Sequence, residues 1–175
     1  MKTIPTFLLA ACFIGSQAKA QQEANPMLAN AQTFIDVPYV AHTLETDGEE
    51  DLVINCDEVD CTTFVEYVLA LSLPSASGNK MSESDFAANL QRIRYREGKI
   101  DGYTSRLHYT SDWINNGVRG GFMEDVTAAN SPYTQKLSLS YMSSHPKLYK
   151  HLSNSPENVT RMAEYEKALS GQEIH

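Results

Sequence analysis

Basic charge is scarce in this 175-residue chain: 14 Lys and Arg stand against 22 Asp and Glu, a formal net charge of −8. Such a chain lacks the dense basic face that tracks a nucleic-acid backbone, so no nucleic-acid partner is expected. Long apolar runs are also scarce. Beyond the N-terminus none approaches the roughly 20 residues that cross a bilayer. Cysteine is limited to three, and no histidine pair stands near Cys56 and Cys61. Four-ligand zinc coordination is therefore unfilled, and neither metal nor cofactor is expected. No repeat period is present, which excludes solenoids and propellers. Strand signals are few: only LVIN (52–55), GFMEDVT (121–127) and QKLSLSYM (135–142) qualify.

What is present begins with an export signal. In MKTIPTFLLAACFIGSQAKA, Lys2 gives a positive n-region, Phe7 to Gly15 an apolar core, and Ala18 and Ala20 the small residues a signal peptidase needs. Residues 1–20 are read as a signal peptide and 21–175 as one domain, released into the periplasm. The lesser alternative takes LAAC as a lipoprotein box that anchors the chain at Cys12. Cleavage removes Lys2 and Lys19 but no acid, taking the net charge from −8 to −10.

Helical periodicity dominates the rest. PMLANAQTFID (26–36) has apolar residues at Met27, Leu28, Ala31, Phe34 and Ile35, with Pro26 in the first turn. The segment after Cys61 carries a stripe at Phe64, Val65, Val68, Leu69 and Leu71 or Ser72, ended by Pro74. A helix from about Ser82 would bury Phe86, Leu90 and Ile93. SDWINNG predicts a short helix capped by Ser111 or Asp112 and stopped at Gly117. PENVTRMAEYEKAL follows Ser155 as N-cap and Pro156 at the first position.

The stretch NCDEVDCTTFVEYVLAL (55–71) puts two cysteines just where an apolar helix begins. Three readings compete: a disulfide, a metal site, and a nucleophile. An even cysteine count in an exported chain invites a disulfide. A thiol reacts as thiolate, and the free N–H groups of a first helical turn favour an anion. Capping by Asp57 or Asp60 would place Cys61 in that turn. Against this stands a buried structural cysteine. Arg92, Arg94, Arg96, Lys99 and Arg106 form a basic cluster, either a solvated helix face or a pocket for a small anion.

Four segments decide between these. DCTTFVE (60–66), PYVAHTLE (38–45), NLQRIRYREGKIDGY (89–103) and SRLHYTSDWI (105–114) together resemble the N-acetylmuramoyl-L-alanine amidase-like family of the NlpC superfamily, from about Thr33 to His145. The resemblance implies an α+β, papain-like NlpC-type fold, of which this chain carries mainly the helical N-terminal part. It implies Cys61 as nucleophile of a cell-wall amidase cleaving the bond between N-acetylmuramic acid and L-alanine in muropeptides. Tyr39, Asp60, Arg94, Arg96, Arg106 and His108 fall on the substrate side. Peptidoglycan fragments are the expected partners, and the chain is expected to be a monomer.

The family's catalytic histidine lies on a downstream strand of SHVGI type, which this sequence does not contain. His42, His108, His145, His151 and His175 are what remain. The chain therefore resembles the front part of a longer protein, and a catalytically incomplete or dead fragment is the alternative reading. An endopeptidase acting on the peptide stem is another.

Overall fold

The computed structural model describes residues 25–75, 78 and 80–175. The signal peptide, the start at Gln21 and the Cys12 anchor lie outside the described residues. The chain divides into two compact units, one ending at Ile93 and the other running from Arg94 to His175.

In the first unit, α1 spans Pro26–Gln32. Asn25 caps it by accepting from the Met27 N–H at 3.0 Å, satisfying a first-turn donor. The helix was expected to reach Asp36. Its end tightens instead, with Phe34 N–H bonding Ala31 O and Ile35 N–H bonding Gln32 O. Asp36 then takes φ 69°, which no helix continues.

Helix α2 is Cys61–Ser72. Its burial follows the expected period but is shifted by one position. Val68 is buried as expected, joined by Thr63, Glu66, Tyr67 and Ala70, while Val65 is 42% exposed. Tyr67 sets the phase. Its ring stacks on Phe34 at 6.0 Å and meets Phe86 at 6.0 Å. Its hydroxyl accepts from the Asn55 N–H at 3.0 Å, so the ring buries with its polar end satisfied. One edge of the expected stripe, at Phe64, Val65, Val68 and Leu69, also borders an open apolar groove of about 380 Å³ with Met27 and Leu28 of α1. Helix α3, Glu83–Arg94, buries Phe86, Leu90 and Ile93 completely, as its pattern predicts.

The second unit is assembled from short pieces. Helix α4 spans Thr110–Arg119, longer than SDWINNG suggested. Gly117 does not stop it. A Cβ there would lie 2.6 Å from Met123 Sδ, so the glycine makes room for the returning chain. Single turns α5 (Thr127–Asn130), α6 (Tyr141–Ser144) and α7 (Lys150–Ser153) precede α8, Pro156–Leu169. Ser155 caps α8 as expected, accepting from Asn158 N–H at 3.2 Å. Tyr103, Met142, Leu152 and Met162 form the core here, with Tyr109, Tyr149 and Val159 against it.

Among the described residues the sheet is a single antiparallel pair. Strand β1, Gln135–Lys136, pairs with β2, Glu173–Ile174, in the register Gln135 to Ile174. Among the described residues LVIN is not assigned to a strand, and GFMEDVT runs from a turn into α5. The described residues are thus mostly helical with a small two-stranded sheet.

Candidate functional site

The residues singled out from the sequence fall into two groups, one in each unit. Tyr39, Asp60 and Cys61 belong to the first. Arg94, Arg96, Arg106 and His108 belong to the second.

Cys61 is the first residue of α2, and its thiol is free and exposed. Asp60 is the N-cap. Its Oδ1 accepts from the Thr62 N–H at 3.0 Å, the Thr63 N–H at 2.8 Å and the Thr63 hydroxyl at 3.0 Å. The Asp60 N–H donates in turn to Thr63 Oγ1 at 2.8 Å, closing a reciprocal box. This oxygen of Asp60 thus has three protein donors, and the residue's clearest task is to fix the helix start beneath Cys61.

Tyr39 reaches the same turn from another segment. It forms a parallel bridge with Val59, through Val40 N–H to Val59 O and Val59 N–H to Pro38 O, both 3.0 Å. Its hydroxyl lies close enough to Cys61 and Asp60 to feel their charge. The negative charge that Cys61 can carry, with some burial, raises the phenol above its ordinary range, so Tyr39 stays a protonated donor. Thr62 Oγ1 lies 4.0 Å from the sulfur.

Cys56 and Cys61 are not paired with one another. Cys56 is buried, whereas Cys61 is free and exposed.

The basic cluster divides: Arg92 and Lys99 are exposed, as on a solvated face, whereas Arg94 and Arg106 are buried. Arg94 is 1% exposed and Arg106 6%. Arg96 grips Asp112 with both terminal nitrogens, at 3.0 and 2.6 Å, and lies 3.7 Å from the centre of the Tyr165 ring. A planar fork on a carboxylate, stacked on an aromatic, is how a guanidinium is built into a fold. Asp112, read as a possible helix cap, is the buried half of this pair. Arg106 stands 5.1 Å from the Tyr103 ring centre.

His108 shares that tyrosine. Its ring lies 4.4 Å from the Tyr103 ring, with His151 4.9 Å away on the same residue. His108 Nε2 is 3.0 Å from the Tyr103 carbonyl oxygen. Loss of solvent, then the neighbouring Arg106, push its pKa down to about 3. The imidazole is therefore neutral at physiological pH, with Nε2 donating to the carbonyl and Nδ1 left as an acceptor. The part of Tyr103 in holding this ring was not legible in the sequence. Among the described residues no group of three His, Cys, Asp or Glu side chains is arranged to hold a metal ion.

Comparison with known proteins follows this geometry. A family model described as AmiA-like, N-acetylmuramoyl-L-alanine amidase-like, matches residues 29–172. The chain is similar to the crystal structure of an N-acetylmuramoyl-L-alanine amidase from Bacteroides uniformis ATCC 8492. The identity is 69% and the TM-score 0.81, over 86% of this chain and 62% of that one. It is also similar to a crystal structure described as a putative xylanase from Bacteroides fragilis. There the identity is 71% and the TM-score 0.79, over 85% of this chain and 64% of that one. The chain thus spans less than two thirds of the length of either structure. A search of curated proteins finds no match. The family match over most of its length, joined to close structural likeness, shows that the chain belongs to the AmiA-like, N-acetylmuramoyl-L-alanine amidase-like family.

Proposed function

We propose that the chain carries the nucleophile of an exported cysteine amidase that cleaves the amide between N-acetylmuramic acid and L-alanine in muropeptides. One observation carries this reading: a free, exposed Cys61 opens a helix whose start is locked by Asp60, in a chain of this family. The papain-like NlpC placement and the periplasmic location belong to the same proposal and rest on the sequence motifs. Nothing in the described residues spans a membrane as a long apolar helix.

In this reading Cys61 Sγ, as thiolate, attacks the lactyl carbonyl carbon. The C=O electron pair moves to oxygen, where the Cys61 N–H and the positive end of α2 stabilise the new charge, the Thr62 and Thr63 N–H groups being taken by Asp60. Collapse expels the amine of L-alanine, which takes up a proton. Water then releases the acyl group from sulfur. The thiol proton needs an acceptor whose pKa lies near the working pH. His108, held near 3, does not meet that condition and serves as a hydrogen-bond acceptor instead. Arg106 suits an anionic group, whereas the free Nδ1 of neutral His108 suits a substrate N–H. Arg96 is built into the second unit through Asp112 and Tyr165, and Arg94 is buried there.

A glycosidase, as the name of one relative would suggest, needs two free carboxyl groups about 5–10 Å apart. The carboxylate beside Cys61 is instead bonded to the helix through Oδ1, which favours amide chemistry.

The test is product analysis. The purified chain and a full-length relative are each incubated with anhydro-muramyl tripeptide and with xylan, and products are read by mass spectrometry. The proposal expects release of the intact peptide from the sugar, lost in Cys61→Ser. Cleavage within the peptide would replace the amidase with an endopeptidase. Sugar release from xylan that survives Cys61→Ser would overturn the cysteine mechanism.

A further inference from the structure

The reciprocal box that starts α2 has a chemical consequence at Cys61. A pair of backbone N–H groups at a helix start is one common way to meet the oxygen that turns negative in acyl transfer. Here the box takes such a pair away. The Thr62 N–H donates to Asp60 Oδ1 at 3.0 Å, and the Thr63 N–H to the same oxygen at 2.8 Å. The Phe64 N–H, next in line, donates to Asp60 O at 2.9 Å. Of the first four residues of α2, only Cys61 keeps its N–H for a substrate.

Thr62 carries a donor of another kind. Its hydroxyl lies 4.0 Å from Cys61 Sγ. That is too far to grip the sulfur firmly. A carbonyl oxygen under attack, however, lies two bonds from that sulfur, within the hydroxyl's reach. Thr62 is exposed, and among the described residues nothing else engages its Oγ1. Thr63 differs: it is fully buried, and its hydroxyl is built into the box, accepting from the Asp60 N–H at 2.8 Å. One threonine of DCTTF locks the helix start, and the other faces outward beside the thiol. We propose that the Thr62 hydroxyl is a catalytic residue, the oxyanion donor that acts beside the Cys61 N–H. The inference rests on the reading of Cys61 as nucleophile. As sulfur bonds to the carbonyl carbon, the C=O pair moves onto oxygen, and the Thr62 O–H donates a hydrogen bond to it while keeping its proton. Collapse returns the pair to the C=O bond, and the leaving group departs with the electrons of its bond to carbon.

The experiment separates acylation from alkylation of one thiol. p-Nitrophenyl acetate acylates Cys61 through a tetrahedral oxyanion, followed by absorbance of the released p-nitrophenol. Iodoacetamide alkylates it by displacement at a saturated carbon, with no oxyanion, followed by mass spectrometry at Cys61. Cys61→Ser is the blank for both, and thermal melting checks that each variant is folded. Thr62→Val puts a methyl in place of the hydroxyl; it should slow acylation roughly tenfold to hundredfold and leave alkylation within about twofold, the acylation loss falling at or below that of an enclosed oxyanion donor because this turn is open to solvent. Thr62→Ser restores the hydroxyl and should recover most of the loss. Equal acylation in wild type and Thr62→Val overturns the proposal, as does a Thr62→Ser variant as slow as Thr62→Val. A parallel fall in alkylation overturns it too, because the hydroxyl would then act on the thiol and not on the oxyanion. So does a wild-type chain that alkylates but does not acylate. Acylation as expected, with muropeptides left intact, counts against the amidase reading alone.

Discussion

His108 offers a sharp quantitative test, because its environment predicts both its charge and a slope of stability with pH. Burial beside Arg106 and Arg96 holds the folded-state pKa at about 3, against 6.5 for a free histidine. Between these values the unfolded chain binds the proton and the folded chain does not. Stability contributed by the neutral ring is therefore fully present above about pH 6.5 and is lost as pH falls towards 3. At 1.36 kcal/mol per pH unit the whole window amounts to at most about 5 kcal/mol. The ring is only half-buried by its own surface, and solvent reaching its edge reduces this to roughly 2–4 kcal/mol. Urea unfolding at pH 7, 6, 5 and 4 measures the slope, and His108→Gln, which cannot protonate, should flatten it. Proton NMR of the imidazole gives the site-specific answer: no titration of His108 between pH 5 and 8. A midpoint near 6 to 7 would refute the reasoning and return His108 to consideration as the general base.

Two further predictions concern the second unit. Glu166 is buried and accepts from the Tyr109 hydroxyl at 2.5 Å, the Met142 and Ser143 N–H groups at 2.9 and 3.2 Å, and the Ser143 hydroxyl. Burial, and after it the same contact, pushes the Tyr109 phenol up to about 12. Glu166→Ala leaves several buried donors unmatched and should cost about 3–5 kcal/mol, lowering the melting temperature by roughly 10 °C; a shift under 3 °C would show that water replaces the carboxylate. Arg96→Lys loses the two-pronged grip on Asp112 and the stacking on Tyr165, and should cost about 1–3 kcal/mol in urea unfolding. Weaker muropeptide binding at unchanged stability would instead restore Arg96 to the substrate side.

The sequence by itself determined what depends on near neighbours. The start of α2 at Cys61, the Ser155 and Pro156 opening of α8, and the buried side of α3 follow from caps and period, which act within one or two turns. The motif around Cys61 was enough to single out the thiol. The tertiary structure decided the phase of burial on α2, because Thr63 and Glu66 are polar by composition and buried only once Tyr67 stacks between Phe34 and Phe86. It decided the short sheet too, since β1 became a strand only when Glu173 and Ile174 came beside it from 37 or more residues away. It separated the arginines, whose role depends on whether a carboxylate and a ring are waiting at the guanidinium, as Asp112 and Tyr165 are for Arg96. And it brought Tyr39 beside the start of α2 through a bridge to Val59 between segments twenty residues apart. No local propensity encodes such a contact. It exists only because the loop and the helix start share backbone hydrogen bonds in the folded chain.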